Sequence, residues 1–215
     1  MKVQEILNKG KNILSSNHID EASLISRMLL SYVLKCKKEE LIIKEDEEIK
    51  EEKAKEYFDD IDKISKGYPL QYITHLKEFM GMDFYVDENV LIPRADTEIL
   101  VEEAIKLANE SNKIEILELC TGSGVIAVSM AKNIENANIT ATDISKGALE
   151  VAKKNEQRLL EKQKINFIQS DMFENIDKKY DMIIANPPYI KRDIIKEYNL
   201  KYEPNLALDG RRRWT

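Results

Sequence analysis

From Lys113 onward, short apolar runs alternate with longer stretches whose apolar residues recur at helical spacing. Ile114, Ile116, Leu117 and Leu119 fill one run and predict a buried strand. Val125 to Lys132 follows as a helix. Ile139 to Thr142 is a second strand that ends in Asp143. Ser145 is placed to cap the next helix, with Ala148, Leu149 and Ala152 facing inward. Ile165 to Ile168 is a third strand, followed by Ser170-Asp171-Met172. Tyr180 to Ala185 is the fourth, continuous enough to predict a buried parallel strand. This alternation predicts an α/β class, with a doubly wound, mostly parallel sheet and right-handed crossovers.

The earlier residues carry a different period. A short first helix carries Val3, Ile6, Leu7, Ile13 and Leu14. Asp20 is placed to cap a helix from Glu21, whose face carries Ile25, Leu29, Tyr32, Val33 and Cys36. A third helix is expected from about Asp46 to Ser65, with Ala54, Tyr57, Phe58, Ile61 and Ile64 on one side, ended by Gly67. Then Met82, Phe84 and Val86 alternate as a strand. Asp87-Glu88-Asn89 reads as a turn, and Val90-Leu91-Ile92 as the returning arm of a hairpin. Asp96 or Thr97 can cap a helix to about Ala108, burying Leu100, Val101, Ala104, Ile105 and Ala108. The expected organisation is therefore a small all-helical domain over 1–67, a linker with a β-hairpin over 68–98, and a ligand-binding α/β domain over 99–215.

Composition narrows the function classes. The 215 residues are 43% hydrophobic and 33% charged, with net charge −6. Such an acidic chain lacks the basic face that phosphate backbones require, so no direct nucleic-acid partner is expected. Cys36 and Cys120 are the only cysteines and make no disulfide framework, which fits a reducing cytoplasm. No apolar run approaches the roughly 20 residues of a membrane span, and the polar N-terminus has no signal-peptide core, so no membrane partner is expected. His18 and His75 have no companions at ligand spacing, and no metal site is expected.

The chemistry-bearing residues gather at the ends of the predicted strands. Thr121-Gly122-Ser123-Gly124 lies between strand and helix, where glycines let a ligand approach the backbone. The dinucleotide pattern is incomplete, because Ala127 holds the third glycine position. Asp143, about twenty residues on, stands where an acid binds ribose hydroxyls. Asn186-Pro187-Pro188-Tyr189 closes the fourth strand. Its prolines cannot donate hydrogen bonds, and each locks its φ, so the loop is stiff and offers oxygens. The Asn186 side-chain carbonyl and the Pro187 main-chain carbonyl can accept both hydrogens of one planar NH2 group, with Tyr189 as a flat face beside it. That arrangement suits an amide or exocyclic amino nitrogen under electrophilic attack.

With these motifs in order, E-L-C-T-G-S-G, T-D-I-S, S-D-M-F and N-P-P-Y-I, the chain resembles the S-adenosylmethionine-dependent methyltransferases. G-Y-P-L-Q-Y-I, E-F-M-G-M-D-F, V-L-I-P-R-A-D-T-E and E-P-N-L-A-L-D-G bring it closer to the HemK-type protein-(glutamine-N5) methyltransferases. The specific motifs cover residues 67 to 210. The resemblance implies a Rossmann-like sheet, incomplete at the C-terminus, and S-adenosylmethionine as cofactor. It implies methylation of the glutamine in the Gly-Gly-Gln motif of peptide chain release factors, with the N-terminal helices helping to hold that partner. By the same carry-over, Thr121 to Gly124 line the methionine part of the cofactor, and Glu118 and Cys120 belong to that set. Asp143 takes the ribose, Asp171 and Met172 flank the adenine, and Asn186 and Pro187 hold the glutamine amide, with Pro188 and Tyr189 beside them; Asn186 also belongs to the cofactor-binding set. A monomer is expected.

Three departures stand out. Glu118 replaces a frequent Asp, and Cys120 a frequent Gly. After Gly210, Arg211-Arg212-Arg213-Trp214-Thr215 replaces an acidic, glycine-rich text. Read one base out of register, codons for that tail spell Gly-Glu-Glu-Asp-Gly, so a reading-frame error is expected, and resequencing the gene tests it. The alternatives are a ribosomal-protein glutamine methyltransferase, an N6-adenine or N4-cytosine DNA methyltransferase, and a partial chain that binds cofactor or partner without turnover. Net charge −6 weighs against the DNA enzyme.

Overall fold

The computed structural model describes residues 1–108, 113–162, 165–191, 194 and 200–210. They form two compact units, Met1–Thr74 and His75–Thr215. The first is helical: α1 (Val3–Ser16), α2 (Ala22–Leu34), α3 (Glu40–Ile43), α4 (Glu51–Ser65) and α5 (Leu70–Thr74). Val3, Ile6, Gly10 and Leu14 give α1 its buried stripe. A Cβ on Gly10 would lie 1.9 Å from Tyr57 Oη, so only glycine lets α1 approach α4 this closely. Tyr57 is fully buried, and its hydroxyl bonds Ser26 Oγ at 2.7 Å. Burial pushes the Tyr57 phenol up to about 12.

Three expectations for this unit are corrected. Asp20 does not cap α2, which starts at Ala22 behind Glu21, a residue with φ of 54° and no side-chain cap. Tyr32 is exposed; Ser26 and Leu30 take the buried face instead, because Ser26 is satisfied by Leu7 O and Tyr57. The helix expected from Asp46 begins only at Glu51. Residues 45–49 are engaged elsewhere: Val3 N–H bonds Glu47 O, Gln4 N–H bonds Glu45 O, and Ile49 N–H bonds Met1 O. Backbone groups paired with the N-terminus cannot also make a helical turn.

The second unit opens with a hairpin, β1 (Lys77–Phe79) antiparallel to β2 (Met82–Phe84). Met80 and Gly81 turn it with φ of 51° and 70°, the two positive values a type I′ turn requires. The expected pairing of Met82–Val86 with Val90–Ile92 does not form. Val90 N–H closes a turn on Asp87 O, and Ile92 N–H goes to the Glu203 carboxylate at 3.0 Å.

There follow α6 (Asp96–Ala108), β3 (Ile114–Leu119), α7 (Val125–Asn133), β4 (Ala137–Asp143), α8 (Lys146–Leu159), β5 (Ile165–Gln169), β6 (Met182–Ala185) and α9 (Asn205–Leu208). Leu100 of α6 is exposed, not buried as expected; Thr97, Val101, Ala104 and Ala108 form the buried face. The four strands run parallel in the order β5-β4-β3-β6. From β3 the chain moves outward through β4 to β5, then crosses back to lay β6 on the other side of β3. Strand order reverses there, and a cleft outside the carboxyl ends of β3 and β6 is the consequence. Among the described residues β6 is an edge strand. Ile184 is buried but Ile183 is 55% exposed, so the expectation of a wholly buried strand holds on one face only.

Candidate functional site

The loop after β3 is held in an unusual backbone path. Cys120, Gly122 and Gly124 have φ of 60°, 55° and 80°. A residue with a Cβ in that region costs roughly 1–2 kcal/mol, which explains physically why glycine suits position 120. Each glycine has its own task. A Cβ on Gly124 would lie 2.9 Å from Ala152 Cβ, so α7 and α8 approach only because it is absent. Around Gly122 no atom lies within 4 Å of an added Cβ, so its backbone faces open space. Asn155, fully buried on α8, anchors the loop: its Nδ2 donates to Ser123 O at 2.9 Å and to Tyr85 O at 2.9 Å.

Glu118 lies beneath this loop. It is 1% exposed; Oε2 accepts from Thr121 Oγ1 at 2.7 Å and from Ala127 N–H at 3.0 Å, while Oε1 is buried without a partner. Expected as a cofactor contact, it does not line the cavity described below; it ties the two ends of the loop together. Burial pushes its carboxyl up to about 8, against the pull of those two donors. The folded protein keeps this proton to about pH 8, whereas the unfolded chain releases it near 4.5. The stability Glu118 contributes is therefore full below about 4.5 and lost as pH rises toward about 8. Asp143, raised chiefly by burial, acts in the same direction. Thermal melting of the ligand-free protein across that window should show the decline, and Glu118→Gln should flatten part of it. An identical slope in the variant would contradict the assignment.

Asp143 closes β4 and grips both neighbouring loops. Its Oδ2 accepts from Gly122 N–H and its Oδ1 from Ser145 N–H, each at 2.9 Å. Ser145 caps α8, accepting from Ala148 N–H at 3.2 Å. After β5, Met172 has φ of 47° and places Sδ 3.9 Å from Cys120 Sγ.

These ends surround a cavity of about 420 Å³. Of the residues expected at the site, Cys120, Thr121, Gly122, Ser123, Asp143, Met172, Asn186 and Pro188 line it. Gly124, Asp171, Pro187 and Tyr189 do not. Tyr189 is 72% exposed, so its ring lies away from the cavity wall where a flat face was expected.

Much of the remaining wall comes from two motifs to which sequence reasoning gave no role at the site. Leu91, Pro93, Arg94 and Thr97 line one side, and Pro204 to Ala207 with Asp209 and Gly210 another. Buried Glu203 joins the two: its Oε2 takes Ile92 N–H, and its Oε1 pairs with the Arg94 guanidinium. The segment then returns to the N-P-P-Y loop, where Ile190 N–H bonds Leu208 O at 2.9 Å and Gly210 N–H bonds Ile190 O at 3.3 Å. Asn186 Nδ2 donates to Thr97 Oγ1 at 3.1 Å. The signal available in the sequence was the pairing of a lone Arg94 with a lone Glu203 in two distant motifs. Among the described residues no cluster of His, Cys, Asp or Glu is placed to hold a metal.

Residues 5–74 match the family model of the PrmC N-terminal domain, and residues 95–201 that of the methyltransferase small domain. The release factor glutamine methyltransferase of Clostridium acetobutylicum is 39% identical over 98% of this chain and 76% of its own length. That of Borreliella burgdorferi is 38% identical over 98% of this chain and 71% of its own. That of Leptospira interrogans is 39% identical over 94% and 73%. At this identity and coverage, with the strand-end loops meeting at one cavity, the chain belongs to the release factor glutamine methyltransferase family.

Proposed function

We propose that this protein transfers a methyl group from S-adenosylmethionine to the side-chain amide nitrogen of the glutamine in the Gly-Gly-Gln motif of peptide chain release factors. One observation carries the reading: the glycine loop after β3 and Asn186 after β6 open onto the same cavity.

The residues fit the cofactor. A cavity of about 420 Å³ falls within the range of about 300–1,000 Å³ usual for small organic ligands. Gly122 leaves its backbone open to an approaching group. Thr121 to Gly124 are assigned the methionine part, with Cys120 closing the loop and Glu118 supporting it from beneath. Asp143 is assigned the ribose, and Met172 and Asp171 the adenine. Bound there, the cofactor supplies an electrophilic methyl on a positively charged sulfur.

The chain's own task is to make a poor nucleophile attack. The lone pair of an amide nitrogen is delocalised into its carbonyl. Asn186 Oδ1 and the Pro187 carbonyl accept the two hydrogens of the amide, return electron density to nitrogen and fix its direction. Pro188 forms the wall beside it. The nitrogen sheds its surplus proton to water after transfer, so no general base is assigned. Exposed Tyr189 is assigned to the incoming release factor, and the helical unit to holding that partner. The same reading includes a cytoplasmic monomer with no nucleic-acid or membrane partner.

Two measurements test this. A methyl-labelled donor should deliver its label to a release factor but not to one whose motif glutamine is replaced; label on both would contradict the site. Asp143→Ala should weaken S-adenosylmethionine about 10- to 100-fold, the loss of one or two charge-assisted hydrogen bonds, and change the chemical step less. Unchanged affinity by titration calorimetry would contradict the ribose assignment.

A further inference from the structure

We propose that Thr97 is a positioning residue that sets which end of the Asn186 amide meets the substrate. The proposal rests on the role assigned to Asn186 above. An asparagine amide has two ends of nearly the same shape and opposite hydrogen-bonding sense. With Oδ1 turned to the substrate, the site accepts from the glutamine NH2 and enriches its nitrogen. With Nδ2 turned there, the site donates, opposes the NH2 hydrogens and favours the glutamine carbonyl, which draws density away from the nitrogen. Only the first sense helps the reaction.

The structure commits Nδ2 to Thr97 Oγ1 at 3.1 Å, which leaves Oδ1 as the end able to accept from a ligand. Thr97 is well fixed for this. It is buried in the first turn of α6, with its own N–H on Arg94 O at 3.1 Å, and the same helix buries Val101, Ala104 and Ala108. In the bond from Asn186 Nδ2, Thr97 Oγ1 is the acceptor. Both Thr97 and Asn186 line the cavity, so the bond stands at the reacting end and not in the remote core.

The test is steady-state methylation of a release factor by the parent, Thr97→Val, Thr97→Ala, Thr97→Ser, Asn186→Ala and the double variant T97V/N186A. Melting temperatures and S-adenosylmethionine affinity are read beside them. Valine keeps the shape and removes the acceptor; alanine favours the helix, should valine fold poorly. Both are expected to lower kcat about tenfold, the weight of one hydrogen bond, with donor affinity and KM little changed. Serine restores kcat to within about twofold of the parent, since it keeps the hydroxyl. In the Asn186→Ala background, Thr97→Val adds nothing, because its effect passes through that amide. Asn186→Ala inactive while Thr97→Val and Thr97→Ala keep full kcat overturns the Thr97 proposal alone. So does a serine variant as slow as valine, or a full further loss in the double variant. Asn186→Ala with near-parent activity overturns the Asn186 reading, and the Thr97 proposal with it.

Discussion

Asn186→Ala is expected to lose about 10²–10³ in kcat while binding S-adenosylmethionine much as the parent does, by analogy with removal of one well-aimed group from an oxyanion hole. The loss falls on kcat because the acceptor matters most when the amide nitrogen develops positive charge. An interaction that strengthens in the transition state lowers the barrier; one equally strong before it only tightens binding. The side chain can be removed without breaking the fold: β6 ends at Ala185, and the prolines after Asn186 keep the loop stiff. Among the described residues its side chain makes one hydrogen bond, from Nδ2 to Thr97 Oγ1, and a hydroxyl oxygen at the cavity wall can accept from water instead. Turnover within a few-fold of the parent would mean that Asn186 serves the loop and not the reaction.

Gly210→Ala is expected to lose on the order of 10² in rate through a displaced backbone. The added Cβ would lie 2.7 Å from Pro188 O and 2.7 Å from Tyr189 Cα. Those are main-chain atoms of the N-P-P-Y loop, so they cannot swing away as the end of a side chain could. Either the loop moves or the 204–210 segment does. The segment is pinned by Ile190 N–H on Leu208 O and by Glu203 on Ile92 and Arg94. The loop therefore yields, and both carbonyls assigned to the substrate amide yield with it. S-adenosylmethionine affinity should change little, because the β3 loop and Asp143 are untouched. Parent-like kcat in a folded Gly210→Ala variant would contradict the view that this contact sets the loop position.

The elements built from local pattern were legible. Ile114 to Leu119, the loop to Gly124 and the Ser145 cap each follow from residues adjacent in sequence, and the structure forms all three. What depended on distant partners was not. Val90 to Ile92 has the composition of a strand, yet Ile92 N–H is taken by Glu203, 111 residues away. Residues 45–49 have helical character, but the N-terminus claims their backbone. The hairpin was missed because Met80-Gly81 lacks the Asn-Gly signature of its turn, although its φ values meet the same requirement. At the site, residue type pointed to loops that the structure gathers around one cavity, and less well to where each residue stands within them. An acid before a glycine loop suggests a ligand contact. Only the fold reveals that Glu118 spends its bonds on Thr121 and Ala127 beneath the loop. Tyr189 reads as a wall of the cavity, while the structure turns it outward.

The most direct test of the central claim is tandem mass spectrometry of a release factor incubated with this protein and S-adenosylmethionine carrying a deuterated methyl group. The account predicts one labelled methyl, on the side-chain nitrogen of the glutamine in Gly-Gly-Gln, and a rate of labelling about 10²–10³ lower when Asn186→Ala replaces the parent. A labelled methyl on any other residue, or on the same glutamine at an equal rate with Asn186→Ala, would contradict it.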